Sequence, residues 1–325
     1  MKRTMAVSLV ACLAGLYGCG AQEALLGTEG SHLLTAMDAL TTPGEEVDLT
    51  AQVRAGDFLR GRAGYAVRFY RGGKLYKVAE TGSDGIARAS FVPAAVGDHE
   101  FLAELAPLGM AGEPPAAQRL VLACRKPDTP IVVVDLDRTV VATGFHTVLV
   151  GTPEPMARSQ QVLARLAGTH TLVYLTHRPD YFSAKSKAWL AEHGYPPGVL
   201  LLSTLGGFFK GSGAFKTDAL AQLGKRFTKI EIGIGDKVSD AQAYHDHGLR
   251  AFLVIQLPDR AAPEVYERLA EELGTLDEKV QVVTDWRQIE EALFAAGSFG
   301  RAAMQQRLKQ LAEQAKARPK PAARP

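Results

Sequence analysis

Two carboxylates follow a short apolar stretch near the middle of the 325-residue chain. The stretch reads IVVV (131–134), and Asp135 and Asp137 come directly after it. Residues i and i+2 of an extended segment project to the same side, so both carboxylates can face one ligand. Two nearby acids repel each other, and a bound divalent cation relieves that repulsion. The pair is therefore either a solvated acid pair at a rim or the centre of a metal-assisted reaction.

The reaction that such a pair could perform is phosphoryl transfer. Asp135 could attack a phosphorus atom as a covalent nucleophile, while Asp137 protonates the leaving oxygen and later deprotonates water. An Asp-x-Asp motif alone is weakly specific. The interpretation therefore depends on what lies at the ends of the other strands.

Residues of matching chemistry follow later strands. Thr176 supplies a hydroxyl for a phosphoryl oxygen, and Lys216 supplies a cation for the phosphoryl group and the nucleophile. Asp236 is an acid suited to a hard cation, and Asp240 follows it by one helical turn. Each residue has a structural alternative as a helix cap, a solvated helix residue or a helix-terminus acid. Any one of these residues could occur at its position by chance, but four in the required order are much less easily explained by chance.

Unbroken apolar stretches alternate with helical stretches after Pro127 and Pro130, which mark a linker. This pattern predicts a parallel sheet that is covered on both faces, with ligands at the carboxyl ends of the strands. The predicted strands are 131–137, 170–176, 198–203, 229–236, 250–256 and 279–285. The predicted helices span approximately residues 155–167, 181–193, 216–226, 239–247, 263–274 and 286–297.

The preceding segment contains short, partly alternating stretches separated by glycine-containing turns. This spacing predicts an all-β sandwich of about one hundred residues. The stretch TGSDGIARASFVPAAVGDHEFLAEL resembles bacterial immunoglobulin-like domains. The predicted strands are 45–53, 65–71, 74–80, 86–92, 99–105 and 118–124.

The motifs in residues 130–257 together resemble the haloacid-dehalogenase-like superfamily. The matching positions are Asp135-x-Asp137-x-Thr139, Thr176, Lys216 and Gly235-Asp236-x-x-x-Asp240. The resemblance implies an α/β Rossmann-like phosphatase domain and an aspartyl-phosphate intermediate. It also implies Mg²⁺ held by the carboxylates of Asp135 and Asp236 and the backbone carbonyl of Asp137, with Thr139 and Asp240 in support.

Two longer stretches resemble the lipin-type (LNS2) phosphatidate phosphatase domain. They are YLTHRPDYFSAKSKAWLAEHGYPPGVLLLS and GDKVSDAQAYHDHGL, in which Tyr244 matches a tyrosine of that family. The resemblance implies a lipid phosphate such as phosphatidate as substrate, or alternatively a non-catalytic module that binds phospholipid or phosphate. Arg138 stands where the family usually has Gly or Asp, and Lys237 follows the metal-site acid. These two departures could alter substrate preference or activity.

The spacing of the motifs leaves no room for a full cap domain, so the site should be open to large or surface-bound phosphate esters. The loop 204–215 could bring Phe208, Phe209 and Phe215 to an apolar group, or it could pack under the sheet. Lys210 and Arg178 could attract an anionic headgroup.

The N-terminus MKRTMAVSLVACLAGLYGCG has the layout of a secretory signal peptide. LYGC also resembles a bacterial lipobox in which Cys19 carries lipid; the alternative is a plain signal peptide. Cys124 then remains alone, so the mature chain forms no internal disulfide, and this residue is expected to pack as a small apolar side chain. We therefore expect an exported, membrane-anchored lipoprotein.

The net charge of +2 predicts no nucleic-acid partner. The expected partners are a phosphate-ester substrate and a membrane, and the sequence identifies no protein partner for the β-domain. The basic C-terminal helix from Arg301 is expected to be solvated and to fray. The predicted regions are a signal peptide (1–18), a linker (19–37), an immunoglobulin-like sandwich (38–125), a haloacid-dehalogenase-like phosphatase domain (130–297) and a basic helix with a Pro/Ala/Arg tail (298–325).

Overall fold

The computed structural model describes residues 32–56, 58–106, 116–144, 151, 153–208, 211–257 and 260–318. The predicted signal peptide with Cys19, together with Phe209 and Lys210, lies outside the described residues.

The N-terminal half is a β-sandwich. Its strands are β1 (Leu33–Met37), β2 (Ala39–Thr41), β3 (Val47–Ala55), β4 (Arg60–Gly61), β5 (Ala66–Arg71), β6 (Lys74–Glu80), β7 (Ile86–Phe91), β8 (Gly97–Leu105) and β9 (Ala117–Cys124). One sheet has the order β1-β3-β4, with β7 also paired to β3, and the other has the order β2-β9-β8-β5-β6. The strands alternate in burial, as in β3, where Leu49, Ala51 and Val53 face the core between the sheets.

The C-terminal half is an α/β domain with six parallel strands. They are β10 (Ile131–Val134), β11 (Thr171–Pro179), β12 (Val199–Ser203), β13 (Ile230–Gly235), β14 (Arg250–Val254) and β15 (Gln281–Val283). Their order in the sheet is β12-β11-β10-β13-β14-β15. The central strand β10 is buried at all four positions, which explains its continuous apolar sequence.

Eight α-helices are present in the described part of this half, and a 3₁₀ turn (Asp180–Phe182) links β11 to the second of them. They are α1 (Ser159–Ala167), α2 (Ser183–Glu192), α3 (Leu205–Phe208), α4 (Ser212–Gly224), α5 (Val238–Asp246), α6 (Pro263–Gly274), α7 (Trp286–Phe294) and α8 (Arg301–Lys316). The predicted fold class, an all-β sandwich followed by a parallel α/β domain, is confirmed.

Two expectations about the ends of the fold are wrong. Strand β1 lies inside the predicted linker 19–37, where it pairs with β3. Helix α8 is not solvated along its length, because Met304, Leu308 and Ala312 are buried in the α/β core. Both segments lack a strong local signal, and long-range packing determines their structure.

The two halves share a core. Leu40 of β2 and Ala123 of β9 belong to the same buried cluster as Ile131 and Val133 of β10. The segment that was predicted as a linker is tied down by backbone hydrogen bonds, since the amide of Arg125 donates to the carbonyl of Thr41 and that of Ile131 to the carbonyl of Lys229. The sandwich therefore packs directly on the α/β domain.

Candidate active site

The carboxyl ends of three neighbouring strands bring the predicted residues together. Asp135 follows β10, Thr176 lies near the end of β11, and Asp236 follows β13. Asp135, Asp236 and Asp240 each have a carboxylate oxygen within 4.8 Å of the others. Lys216 of α4 reaches the same point, with its Nζ atom 3.0 Å from Asp135 Oδ2 and 2.5 Å from Asp240 Oδ2.

Lys216 is fully buried between these two acids. Burial by itself would lower the pKa of its ammonium group, but the charges of Asp135 and Asp240 raise that pKa well above its usual value. Lys216 is therefore a fixed positive charge beside Asp135. The alternative prediction that Lys216 is a solvated helix residue is therefore wrong.

Asp236 is the acid with unused hydrogen-bonding capacity. Its Oδ1 atom is buried and has no partner in the described part of the chain. Burial and the nearby charges of Asp135 and Asp240 raise the pKa of Asp236 to about 7. A hard divalent cation would satisfy the bare oxygen and relieve the repulsion among the acids, so the donor set fits Mg²⁺.

Two close backbone approaches let the acids converge. A Cβ atom on Gly235 would lie 3.0 Å from Cβ of Asp240, and one on Gly233 would lie 2.2 Å from Cγ of Tyr244. The sequence Gly-Ile-Gly in β13 therefore allows α5 to lie against the strand. Asp240 is completely buried there, where Ser212 donates a hydrogen bond to its Oδ1 atom.

Asp137 is paired with Arg178, a contact that was not predicted from the sequence. Arg178 donates from Nε to Asp137 Oδ2 at 2.9 Å and from Nη2 to Oδ1 at 2.7 Å, and its Nη1 donates to Ser186 Oγ at 2.9 Å. Arg178 is 1% exposed and Asp137 is 18% exposed. The expectation that Arg178 attracts a headgroup at the surface is therefore wrong, because its guanidinium is buried and fully engaged.

The two predicted threonines are buried at the same edge. Thr176 has its Oγ1 atom 3.4 Å from the amide of Arg178, which donates to it. Thr139 has no partner for its buried Oγ1 atom among the described residues, while its carbonyl accepts a hydrogen bond from Trp286 Nε1 at 2.7 Å. The hydroxyl of Thr139 therefore remains available to a ligand or to a neighbouring group that moves.

An aromatic cluster lies beside Thr176. The His177 ring stacks on Phe208 with centroids 4.8 Å apart, and Phe215 lies 5.8 Å away. The two phenylalanines thus pack against this histidine, which the sequence analysis did not single out. Burial and the charge of Lys237 lower the pKa of His177.

The two departures from the family pattern lie at exposed positions. Arg138 adopts a φ of 56°, a left-handed conformation that glycine takes without strain. Lys237 is the N-terminal cap residue of α5 and is exposed. Cys124, in contrast, is buried at the end of β9 as a free thiol, as expected for a packing residue.

Acids and a lysine thus converge at the carboxyl ends of the parallel strands. Residues 132–254, which include most of this sheet, match the family model "PITM 1-3, LNS2 domain". This match confirms the resemblance of the α/β domain to the LNS2 domain.

Solved structures give matches of low identity for both halves. The chain is similar to a putative haloacid-dehalogenase-like phosphatase from Mesorhizobium loti, at 16% identity over 61% of this chain and 92% of that one, with a TM-score of 0.35. The fibronectin(III)-like modules of Clostridium thermocellum CbhA match at 16% identity over 28% of this chain and 93% of that one, with a TM-score of 0.20. The Ig1-2 module of the Drosophila receptor protein tyrosine phosphatase DLAR matches at 14% identity over 34% and 62%, with a TM-score of 0.23.

No curated protein matches the chain. Among the residues that the structure describes, none of the helices combines the length and the apolar character that a membrane span needs.

Proposed function

We propose that this protein is a metal-dependent phosphomonoester hydrolase. The observation that carries the proposal is the contact of Lys216 Nζ with both Asp135 and Asp240, beside the bare oxygen of Asp236. This arrangement supplies a nucleophile, a cation for the phosphoryl group and an oxygen for a metal. The LNS2 match of residues 132–254 supports a phosphatase.

In the proposed reaction a carboxylate oxygen of Asp135 attacks phosphorus and forms an aspartyl phosphate. The bond to the leaving oxygen breaks, and that oxygen takes a proton from Asp137. Water then gives a proton to Asp137 and attacks the phosphorus, which releases inorganic phosphate and restores Asp135. Thr176 and Lys216 hold the phosphoryl oxygens during both steps.

Mg²⁺ would be held by the carboxylates of Asp135 and Asp236 and the backbone carbonyl of Asp137, with Asp240 in support. When bound, it would neutralise charge that develops on the phosphoryl oxygens.

A second candidate function is phosphate or phospholipid binding without turnover. The observation that favours it is the ion pair of Asp137, in which both carboxylate oxygens accept hydrogen bonds from Arg178. A leaving oxygen or a water molecule must therefore compete with the Arg178 guanidinium for the carboxylate of Asp137 before a proton can be exchanged there.

Assays of the unaltered protein and of Asp135→Asn decide between the two functions. We expect hydrolysis of phosphomonoesters by the unaltered protein to require a divalent cation, and Asp135→Asn to lower kcat by at least about a thousandfold, since the nucleophile is lost. Asp246→Asn makes the same change on the exposed side of α5 and should leave kcat unchanged. Full activity of Asp135→Asn in metal-free buffer would contradict the mechanism. Phosphate binding without turnover by the unaltered protein would support the second function.

We also propose that the substrate is a lipid phosphate such as phosphatidate and that the protein is exported and anchored by acyl chains at Cys19. The spacing of the motifs supports this proposal, because residues 135–158 and 204–211, the two points where a cap could be inserted, are too few for a full cap domain. The lipobox-like N-terminus and the LNS2 match support it as well.

A further inference from the structure

A buried ion pair connects the β-sandwich to the α/β domain. The Nη2 atom of Arg54 in β3 donates to both carboxylate oxygens of Asp180, at 2.7 and 2.8 Å. Each side chain is only 2% exposed. Thr35 of β1 accepts a third hydrogen bond from this guanidinium at 3.4 Å.

Such a pair contributes little net stability compared with apolar residues of the same size. Removing two charges from water costs about as much as their attraction returns, so a buried pair can often be replaced by apolar side chains without loss. What the pair does impose is geometry, because each charge must stay within hydrogen-bonding distance of the other. Its position in the fold therefore indicates its role.

Asp180 occupies the first position of the 3₁₀ turn, two residues after Arg178. Arg178 in turn binds both oxygens of Asp137 and the hydroxyl of Ser186 on α2. The segment from Arg178 to Ser186 is thus held by Asp137 on one side. The sandwich holds it on the other side through Arg54.

Further sandwich contacts fix the same segment. The hydroxyl of Ser183, the first residue of α2, donates to the carbonyl of Ala36 at 3.2 Å. Lys187 Nζ lies 2.6 Å from Asp38 Oδ1, and Asp38 also accepts a hydrogen bond from the amide of Leu200 in β12. Two polar contacts therefore hold the first half of α2 to β1 and to the residue that follows it.

We propose that the β-sandwich completes the active site and that Arg54 is a positioning residue, which acts through Asp180 on Arg178 and hence on Asp137. The inference rests on the proposed function, because it assigns the sandwich a part in placing the acid–base carboxylate. The sandwich is then more than a spacer that carries the α/β domain. A substitution in the sandwich would therefore alter the placement of Asp137 without changing a residue that contacts the substrate.

The test is the double variant Arg54→Met/Asp180→Leu in the full chain. It removes both charges while keeping similar volume, so we expect the fold to be retained. We expect kcat for a phosphomonoester to fall about 10- to 100-fold, because the acid–base group is misplaced, while KM stays within about twofold. Arg54→Lys should give an intermediate kcat, since lysine keeps the charge but not the guanidinium geometry. If the double variant fails to fold, Arg54→Lys decides, and an unchanged kcat for it overturns the proposal.

The matched control is another ion pair between the two halves, Arg226 and Glu45. The Nε atom of Arg226, which follows α4, lies 2.6 Å from Oε1 of Glu45, which precedes β3, and both side chains are about one-third exposed. The double variant Glu45→Gln/Arg226→Gln should keep kcat unchanged. An equal loss in both double variants, or full kcat in Arg54→Met/Asp180→Leu, would overturn the proposal.

Hydrogen exchange provides a measurement that does not depend on activity. We expect amides of residues 176–187 to exchange faster in Arg54→Met/Asp180→Leu than in the unaltered protein, and not in the Glu45/Arg226 control. If the unaltered protein hydrolyses no phosphate ester, the proposed function fails and exchange alone tests the positioning. Unchanged exchange in this segment would then overturn the structural role of Arg54.

Discussion

At the scale of single residues, Asp236 is the group through which the site responds to pH. Its pKa of about 7 arises from burial and from the neighbouring charges of Asp135 and Asp240. Below about pH 4 the carboxyl is protonated in both the folded and unfolded chains. Between about pH 4 and 7 the folded protein holds a proton that the unfolded chain releases. The contribution of Asp236 to the free energy of unfolding therefore falls as the pH rises through this window and levels off above it.

Metal binding should reverse this loss, because the cation offsets the repulsion among the ionised carboxylates and, above about pH 7, meets no competing proton on Asp236. We expect a fixed concentration of MgCl₂ to raise the Tm more at pH 8 than at pH 6. In Asp236→Asn the metal-induced rise should be small at both pH values. Differential scanning fluorimetry measures both, and an equal rise at pH 6 and pH 8 in the unaltered protein would contradict this role of Asp236.

The sequence predicted the identities of the residues that meet at the site but not all of their contacts. Asp135, Thr176 and Asp236 follow from the order of strand ends along the chain, since parallel strands bring those ends to one edge. Lys216, which lies in helix α4, was predicted from its place in the order of the motifs. The pairing of Arg178 with Asp137 joins positions on two strands through side-chain geometry, and no local pattern encodes it. Arg54 and Asp180 are 126 residues apart, so only the packing of two domains reveals their contact.

At the scale of elements, the predictions were best where periodicity is strong. The strands β3, β5 to β9 and β10 to β15, together with the helices α1, α2 and α4 to α7, correspond to predicted segments within a few residues at most ends. The strands β1, β2 and β4 were not predicted, because they are short and their pairing partners are distant in the sequence. The expectation that helix α8 is solvated was also wrong, because its mixed sequence resembles that of a solvated helix although one face is buried.

Helix α8 should contribute to stability through its buried face. Leu308 is completely buried against the α/β core, so we expect Leu308→Ala to lower the free energy of unfolding by about 2–5 kcal/mol. The exposed neighbour Arg307 offers a control, and Arg307→Ala should change the free energy of unfolding by no more than about 0.5 kcal/mol. Denaturant unfolding measures both values. A loss below about 1 kcal/mol for Leu308→Ala would show that α8 is weakly attached.

At the scale of the whole molecule, we expect lipid phosphates to be better substrates than small soluble ones. An open site can admit a headgroup at a bilayer surface, and an anchor would raise the effective concentration of a membrane substrate. Phosphatidate in mixed micelles should therefore be hydrolysed with a higher kcat/KM than glycerol phosphate. Equal or lower kcat/KM on the lipid would exclude this substrate class while leaving the phosphatase assignment in place.

The shared core of the two halves limits how this chain can be divided. Leu40 and Ala123 lie in the same buried cluster as the central strand β10, and Arg54 and Asp180 are desolvated only when both halves are present. A chain cut between Cys124 and Ile131 would expose an apolar patch on each fragment and leave an unpaired charge on each. For evolution and for protein engineering alike, the unit that can be moved, fused or exchanged is the sandwich together with the α/β domain.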